Sequence, residues 1–159
     1  MSRTDRMVEM SAEKARELAI EHFAKGFNCA EAVLLGMTQA FGLEASCVPR
    51  IATAFGAGIA RRGEACGALA GAAMALGLRF GREDPADRLT KDALYAKMDS
   101  VMRAFEKEFG SVRCIDLTGV DMSTPEGWQK AIDMELHIDF CPKFVAFAAE
   151  QAARLITDD

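Results

Sequence analysis

Between Phe55 and Gly81 the chain reads FGAGIARRGEACGALAGAAMALGLRFG, a glycine-rich stretch with two arginines that runs through a cysteine into small apolar residues. From Cys66 to Leu78 no side chain is polar. A helix that is apolar all round has no face to offer water, so this segment predicts the buried central helix of a domain. Gly67 and Gly71 fall four residues apart on one side of it, where missing side chains let another backbone approach, and Gly81 is placed to end it. The run is bracketed by Arg62 and Arg79 and is shorter than the roughly 20 residues that a membrane-spanning helix needs. Cys66 then stands at the positive N-terminal end of a buried helix, close in sequence to Arg61 and Arg62. That setting predicts a lowered thiol pKa and a favoured thiolate.

Cap residues and apolar spacing divide the rest of the chain into further helices. Residues 1 to 10 lack these signals and read as a loose leader, leaving 11 to 159 as one domain. Ser11 is placed to cap a helix with the stripe Ala15, Leu18, Ala19 and Phe23, closed by Gly26. Asn28 caps a second, with Val33, Leu34, Met37 and Phe41 inward and Cys29 in its first turn. A short helix is expected over Pro49 to Phe55. Asp84 and Pro85 signal the start of the longest helix, to about Phe109, with Leu94, Met98, Val101, Phe105 and Phe109 as its inner stripe. Ser111 reads as the cap of a short turn that contains Cys114 and is bounded by Gly119. Thr124 and Pro125 begin a helix with Trp128, Ile132 and Leu136 at four-residue spacing, and Cys141-Pro142 opens the last, through Val145, Ala148, Ala152 and Leu155. No segment alternates with the two-residue period of a strand. The expected fold is all-α, a single-domain bundle of about six to seven helices around the small-residue helix.

Charge and composition narrow the function. With half of the residues apolar, 27% charged and a net charge of -5, the chain has the balance of a globular protein and not of a general nucleic-acid or anionic-membrane binder. Its start, MSRTDRMVEMSAEKARELAIEHF, has no apolar run of signal-peptide type, so the expected compartment is the cytoplasm. There thiols stay reduced, and five cysteines point to metal or redox chemistry more than to a disulfide framework. Cys29, Cys66, Cys114 and Cys141 each fall at the start of a different predicted helix. Brought together, four such thiols would ligate a soft metal or attack a disulfide. No pair has CxxC spacing.

The order GFNCAEAVL, then GIARRGEACGALAGAAMALGL, then FGSVRCIDLTG, then FCPKF resembles the C_GCAxxG_C_C family of redox-active proteins over about residues 20 to 150. The family is named for four separated cysteines and is similar to the domain that precedes the haem-binding part of split-Soret cytochromes. The resemblance implies a helical fold and makes Cys29, Cys66, Cys114 and Cys141 the redox set. Where the family name spells Gly-Cys-Ala-x-x-Gly, this chain has Cys66-Gly67-Ala68-Leu69-Ala70-Gly71, and Cys47 has no counterpart. A CxxCH sequence is absent, so covalently attached haem is not expected.

Two chemistries follow for the four thiols: an iron–sulfur cluster for electron transfer, or a dithiol/disulfide couple with Cys66 as the nucleophile. Either would make the chain an oxidoreductase or an electron-transfer protein with a partner redox protein. The alternatives are a structural zinc site on the same cysteines and a helical interaction module with merely packed thiols. Arg61, Arg62 and Gly67, beside Cys66, are the candidates for contact with a cofactor or an anion. Cys47 reads as a packing or surface thiol, and His22, next to the apolar stripe of its helix, as structural. His137, four residues before Cys141, would share its site only in an unbroken helix. The small-residue helix suits either a two-fold homodimer contact or an intramolecular neighbour.

Overall fold

The computed structural model describes residues 1–43 and 45–157. Its α-helices are α1 (Arg3–Ala24), α2 (Cys29–Phe41), α3 (Gly67–Phe80), α4 (Arg88–Phe109), α5 (Cys114–Thr118), α6 (Pro125–Asp133) and α7 (Pro142–Thr157). A 3-10 turn covers Arg50–Phe55 and a π-helical turn Leu136–Phe140. Among the described residues there is no strand, only an isolated antiparallel bridge between Ala65 and Arg113. The fold is all-α, and among the described residues no helix is long and apolar enough to cross a membrane.

The small-residue segment forms α3 as expected, with Cys66 as its N-cap residue and Gly81 after its last turn. Its close neighbour is α2: a Cβ at Gly71 would stand 2.5 Å from the carbonyl oxygen of Ala30 and 3.0 Å from Cβ of Val33. The small face is therefore filled within the chain, which removes the ground for placing a homodimer contact there. Burial is not complete around the helix either, since Leu78 in its last turn is 44% exposed.

Helix α2 is in turn clamped to α1, because a Cβ at Gly36 would meet the Ala19 backbone nitrogen at 2.6 Å. Helix α7 closes the bundle, burying Phe144, Val145, Ala148, Ala149, Ala152 and Ala153, and α4 adds Val101 and Phe105 to the same core. A second, smaller cluster gathers Cys114, Val120, Met122, Ala131 and Leu136 from α5, α6 and the turns around them. Cys141 packs against both clusters.

Three expected helix starts are corrected. Residues 3 to 10, read as a loose leader, continue α1, because Ser2 and Asp5 form a reciprocal capping box. Farther along this otherwise exposed segment, Glu9 pairs with Arg154 of α7 at 2.7 Å. Helix α4 begins after Asp87 rather than at Pro85: Asp87 accepts the N–H of Thr90 at 3.0 Å, and the Asp84 carboxylate is occupied by the N–H of Ala86. Ser111 is not the cap of α5. Its hydroxyl accepts from the Arg113 N–H and donates to Asp116, while Arg113 holds the cap position.

Candidate functional site

Each of the four cysteines is set by the local chemistry of a helix start. Cys29 opens α2, where Asn28 and Glu31 exchange a capping box. The Asn28 amide also donates to the Thr53 carbonyl at 2.9 Å and Glu31 accepts from the Thr53 hydroxyl, which ties this end to the 3-10 turn. Cys66 and Cys114 are brought side by side by paired backbone: the N–H of Cys66 donates to the Val112 carbonyl at 2.8 Å and that of Cys114 to the Glu64 carbonyl at 2.7 Å. Cys141 ends the π-helical turn, its N–H donating to the Leu136 carbonyl at 2.7 Å, and Pro142 begins α7. All four side chains line one cavity of about 530 Å3. The five cysteines are free thiols, and Cys47 lies away from the cavity.

The segment that shapes one side of the cavity has unusual backbone. Ala57, Gly58, Ile59, Ala60 and Arg61 all have φ between 50° and 70°, a left-handed turn made largely of non-glycine residues. Each such residue costs about 1–2 kcal/mol relative to a right-handed one, and the β-branched Ile59 is the least suited. Such a turn persists only where its surroundings over-determine it. Here the N–H of Ala60 donates to the Ala54 carbonyl and that of Glu64 to the Gly58 carbonyl, both at 2.9 Å. Two glycines permit the packing: a Cβ at Gly58 would stand 2.7 Å from Cβ of Cys114, and one at Gly63 the same distance from Cβ of Ile115. Gly67 has the matching role at α3, where any Cβ would collide with the Cys29 sulfur.

Electrostatically the thiols behave opposite to the expectation of a lowered Cys66 pKa. Burial pushes the Cys66 thiol well above its ordinary value, and the like charges of Cys29 and Cys114 add to that. The N–H groups of Ala68 and Leu69 at the start of α3 act the other way but do not prevail. Cys114 is pushed up to about 11 by burial and then by Cys29, and Cys141 to about 12 by burial, then Cys29 and Cys114, against a small opposing effect of Lys143. Burial raises Cys29 as well, although backbone N–H groups of Ala57, Ala30, Cys29 and Gly67 favour its thiolate. The helix-end effect is real; desolvation of a thiolate in an apolar cavity is larger. Burial therefore favours the protonated form of all four thiols.

The other candidates separate. Arg61 lines the cavity, its guanidinium 3.7 Å from the ring centre of Trp128. Arg62 is not part of the wall. The Asp121 carboxyl is held below its usual range by hydrogen bonds from Ser123, with a smaller contribution from Arg62. His137 shares the cavity with Cys141 despite the helix break between α6 and α7, donating from Nε2 to the Phe23 carbonyl at 3.2 Å and stacking on the Phe23 ring. His22 is buried outside the cavity and bonds the Gln39 side chain at 2.8 Å. Sequence reasoning missed Trp128, Ile132 and Leu136 as wall residues: their four-residue spacing reads as a core stripe, yet Trp128 and Ile132 are 36% and 51% exposed at the cavity rim.

Among the described residues no group of three or more His, Cys, Asp or Glu side chains is gathered to hold a metal ion as it stands. The donor set itself, four thiols with backbone N–H groups turned toward the Cys29 sulfur, is of the kind that holds iron–sulfur groups.

No curated protein and no solved structure matches this chain. One family does, the one described as "Putative redox-active protein (C_GCAxxG_C_C)", over residues 27–155. That span takes in all four cavity thiols and most of the bundle, and the chain belongs to the C_GCAxxG_C_C family.

Proposed function

We propose that this chain is a cytoplasmic redox protein in which Cys29, Cys66, Cys114 and Cys141 hold an iron–sulfur cluster. The observation that carries the reading is that thiols from four separate helix starts line a single cavity of about 530 Å3. Buried thiols with raised pKa values are poor nucleophiles near neutral pH, which counts against a dithiol couple. Ligation by a metal removes the thiol proton outright, so the same burial that suppresses nucleophilic attack does not oppose it. A lone zinc would draw its four sulfurs to about 2.3 Å from one point. Donors spread around a wide cavity, with no three gathered for one ion, suit a group of several metal atoms better.

A cluster bound there supplies one-electron transfer. The chain's part is to surround the sulfurs with apolar side chains, to aim the N–H groups of Ala57, Ala30 and Gly67 at Cys29, and to present each thiol from the start of a different helix. Protein purified without oxygen is expected to contain iron and acid-labile sulfide and to absorb in the visible. Cys66→Ser should lose both, and Cys47→Ser, away from the cavity, should keep both. A colourless protein with zinc on the thiols, or a metal-free one whose thiols pair reversibly on mild oxidation, would overturn the cluster.

A further inference from the structure

The four thiols leave much of the cavity wall unused. On the remaining wall stand Trp128 and Ile132 of α6, Leu136 and Ile138 of the π-helical turn, and Arg61 from the left-handed turn. Ile132 and Ile138 are 51% and 67% exposed, so the cavity opens to solvent across an apolar rim. A cavity of a few hundred Å3 with mostly apolar walls and few polar groups is the usual form of a small-molecule site.

Most polar groups on this wall are satisfied within the protein. Asn28 bonds Thr53 and Glu31, Thr53 donates to Glu31, Thr118 donates to the Cys114 carbonyl, and His137 donates to the Phe23 carbonyl. Two charged groups remain, Arg61 and Glu135. Arg61 has no carboxylate partner among the described residues, and its guanidinium is held against the Trp128 ring at 3.7 Å. A guanidinium stacked on an aromatic ring keeps its hydrogen-bond fork free in a fixed plane, the arrangement that reads a carboxylate. The strained turn over Ala57–Arg61 holds the backbone behind it. Nothing comparable fixes the Glu135 carboxylate.

We infer that the cavity binds a small organic acid, with its apolar body against Trp128, Ile132 and Leu136 and its carboxylate on Arg61. The inference goes beyond the cluster reading and does not require it, because none of these side chains is a thiol.

The test is calorimetric titration with three probes of one shape, phenylacetate, phenylacetamide and phenethylammonium, on protein as purified without oxygen and on protein stripped of metal. Phenylacetate is expected to bind once per chain, about tenfold or more tighter than the amide, as for a charge-assisted hydrogen bond. Arg61→Gln should erase that preference. Trp128→Leu should weaken acid and amide alike, and Arg79→Gln, at the far end of α3, should change neither; circular dichroism confirms that each variant folds. Equal binding of acid and amide, tighter binding of the ammonium probe, or no binding in either form would overturn the proposal. So would a dimer in sedimentation that Ile138→Glu dissociates, since a second copy would then cover the rim. Metal content is read separately, on the protein as purified without oxygen: iron-bearing protein that ignores phenylacetate before and after stripping sinks the ligand site alone, and protein that is purified without metal yet binds phenylacetate sinks the cluster alone.

Discussion

Gly67 and Gly77 lie on the same helix and are expected to answer alanine in opposite ways. A Cβ at Gly67 would collide with the Cys29 sulfur and stand 3.0 Å from the Phe55 carbonyl, whereas nothing lies within 4 Å of one at Gly77. Gly67→Ala should therefore cost about 1–3 kcal/mol of overpacking and displace the Cys29 thiol, with loss of the proposed cluster. Gly77→Ala should stabilise by about 0.5–1 kcal/mol through helix entropy. Urea unfolding of the two variants checks the pair, and a shared sign would contradict the close approach of α3 to Cys29. The thiols carry a pH signature at the same scale. Burial and the neighbouring thiols push Cys114 up to about 11 and Cys141 up to about 12, from an ordinary value of 9.0. A pKa raised by folding contributes stability that is fully present below the unfolded value and is lost as pH rises through the folded one. The unfolding midpoint should fall between about pH 9 and 12, and Cys141→Ser should flatten that fall relative to the parent chain.

At the scale of elements, close backbone contact is decisive. Helices α1 and α2 meet where Gly36 faces the Ala19 nitrogen and the Ala15 carbonyl, at 2.6 and 2.9 Å from a hypothetical Cβ. Both neighbours are backbone and cannot rotate away. Gly36→Ala should cost stability at the upper end of the 1–3 kcal/mol typical of overpacking, and a thermal melt unchanged from the parent would show the helices to be farther apart. Local signals give most helices but misjudge starts. Asn28 and Glu31, Thr124 with Pro125, and Cys141 with Pro142 all mark starts that the structure keeps, because a cap and the N–H groups it satisfies lie within a few residues. Residues 3 to 10 read as a leader and not as helix because Met7 and Met10 face water and make no apolar stripe. Ser2 and Asp5, separated from that missing stripe, were the available signal.

At the scale of the molecule the described residues form two cores, the main bundle and the small cluster of Cys114, Val120, Met122, Ala131 and Leu136. Cys29 and Cys66 pack with the first and Cys114 belongs to the second. A group held by all four thiols would bind the small cluster to the bundle. Removing it should speed hydrogen exchange in α5, α6 and the π-helical turn while α1, α2, α3 and α7 stay protected; uniform protection with and without metal would mean that the thiols do not couple the cores. The all-α class, the central small-residue helix and the four cysteines at four helix starts are legible in the amino-acid order, since they follow from caps and spacings within a turn or two. That those starts meet at one cavity, that Trp128 and Ile132 line its rim, and that Arg61 rather than Arg62 faces it depend on how the helices pack. Packing also turns the expected lowering of the Cys66 pKa into a rise, because desolvation depends on everything that packs around a thiol and the helix end is only the part written beside it.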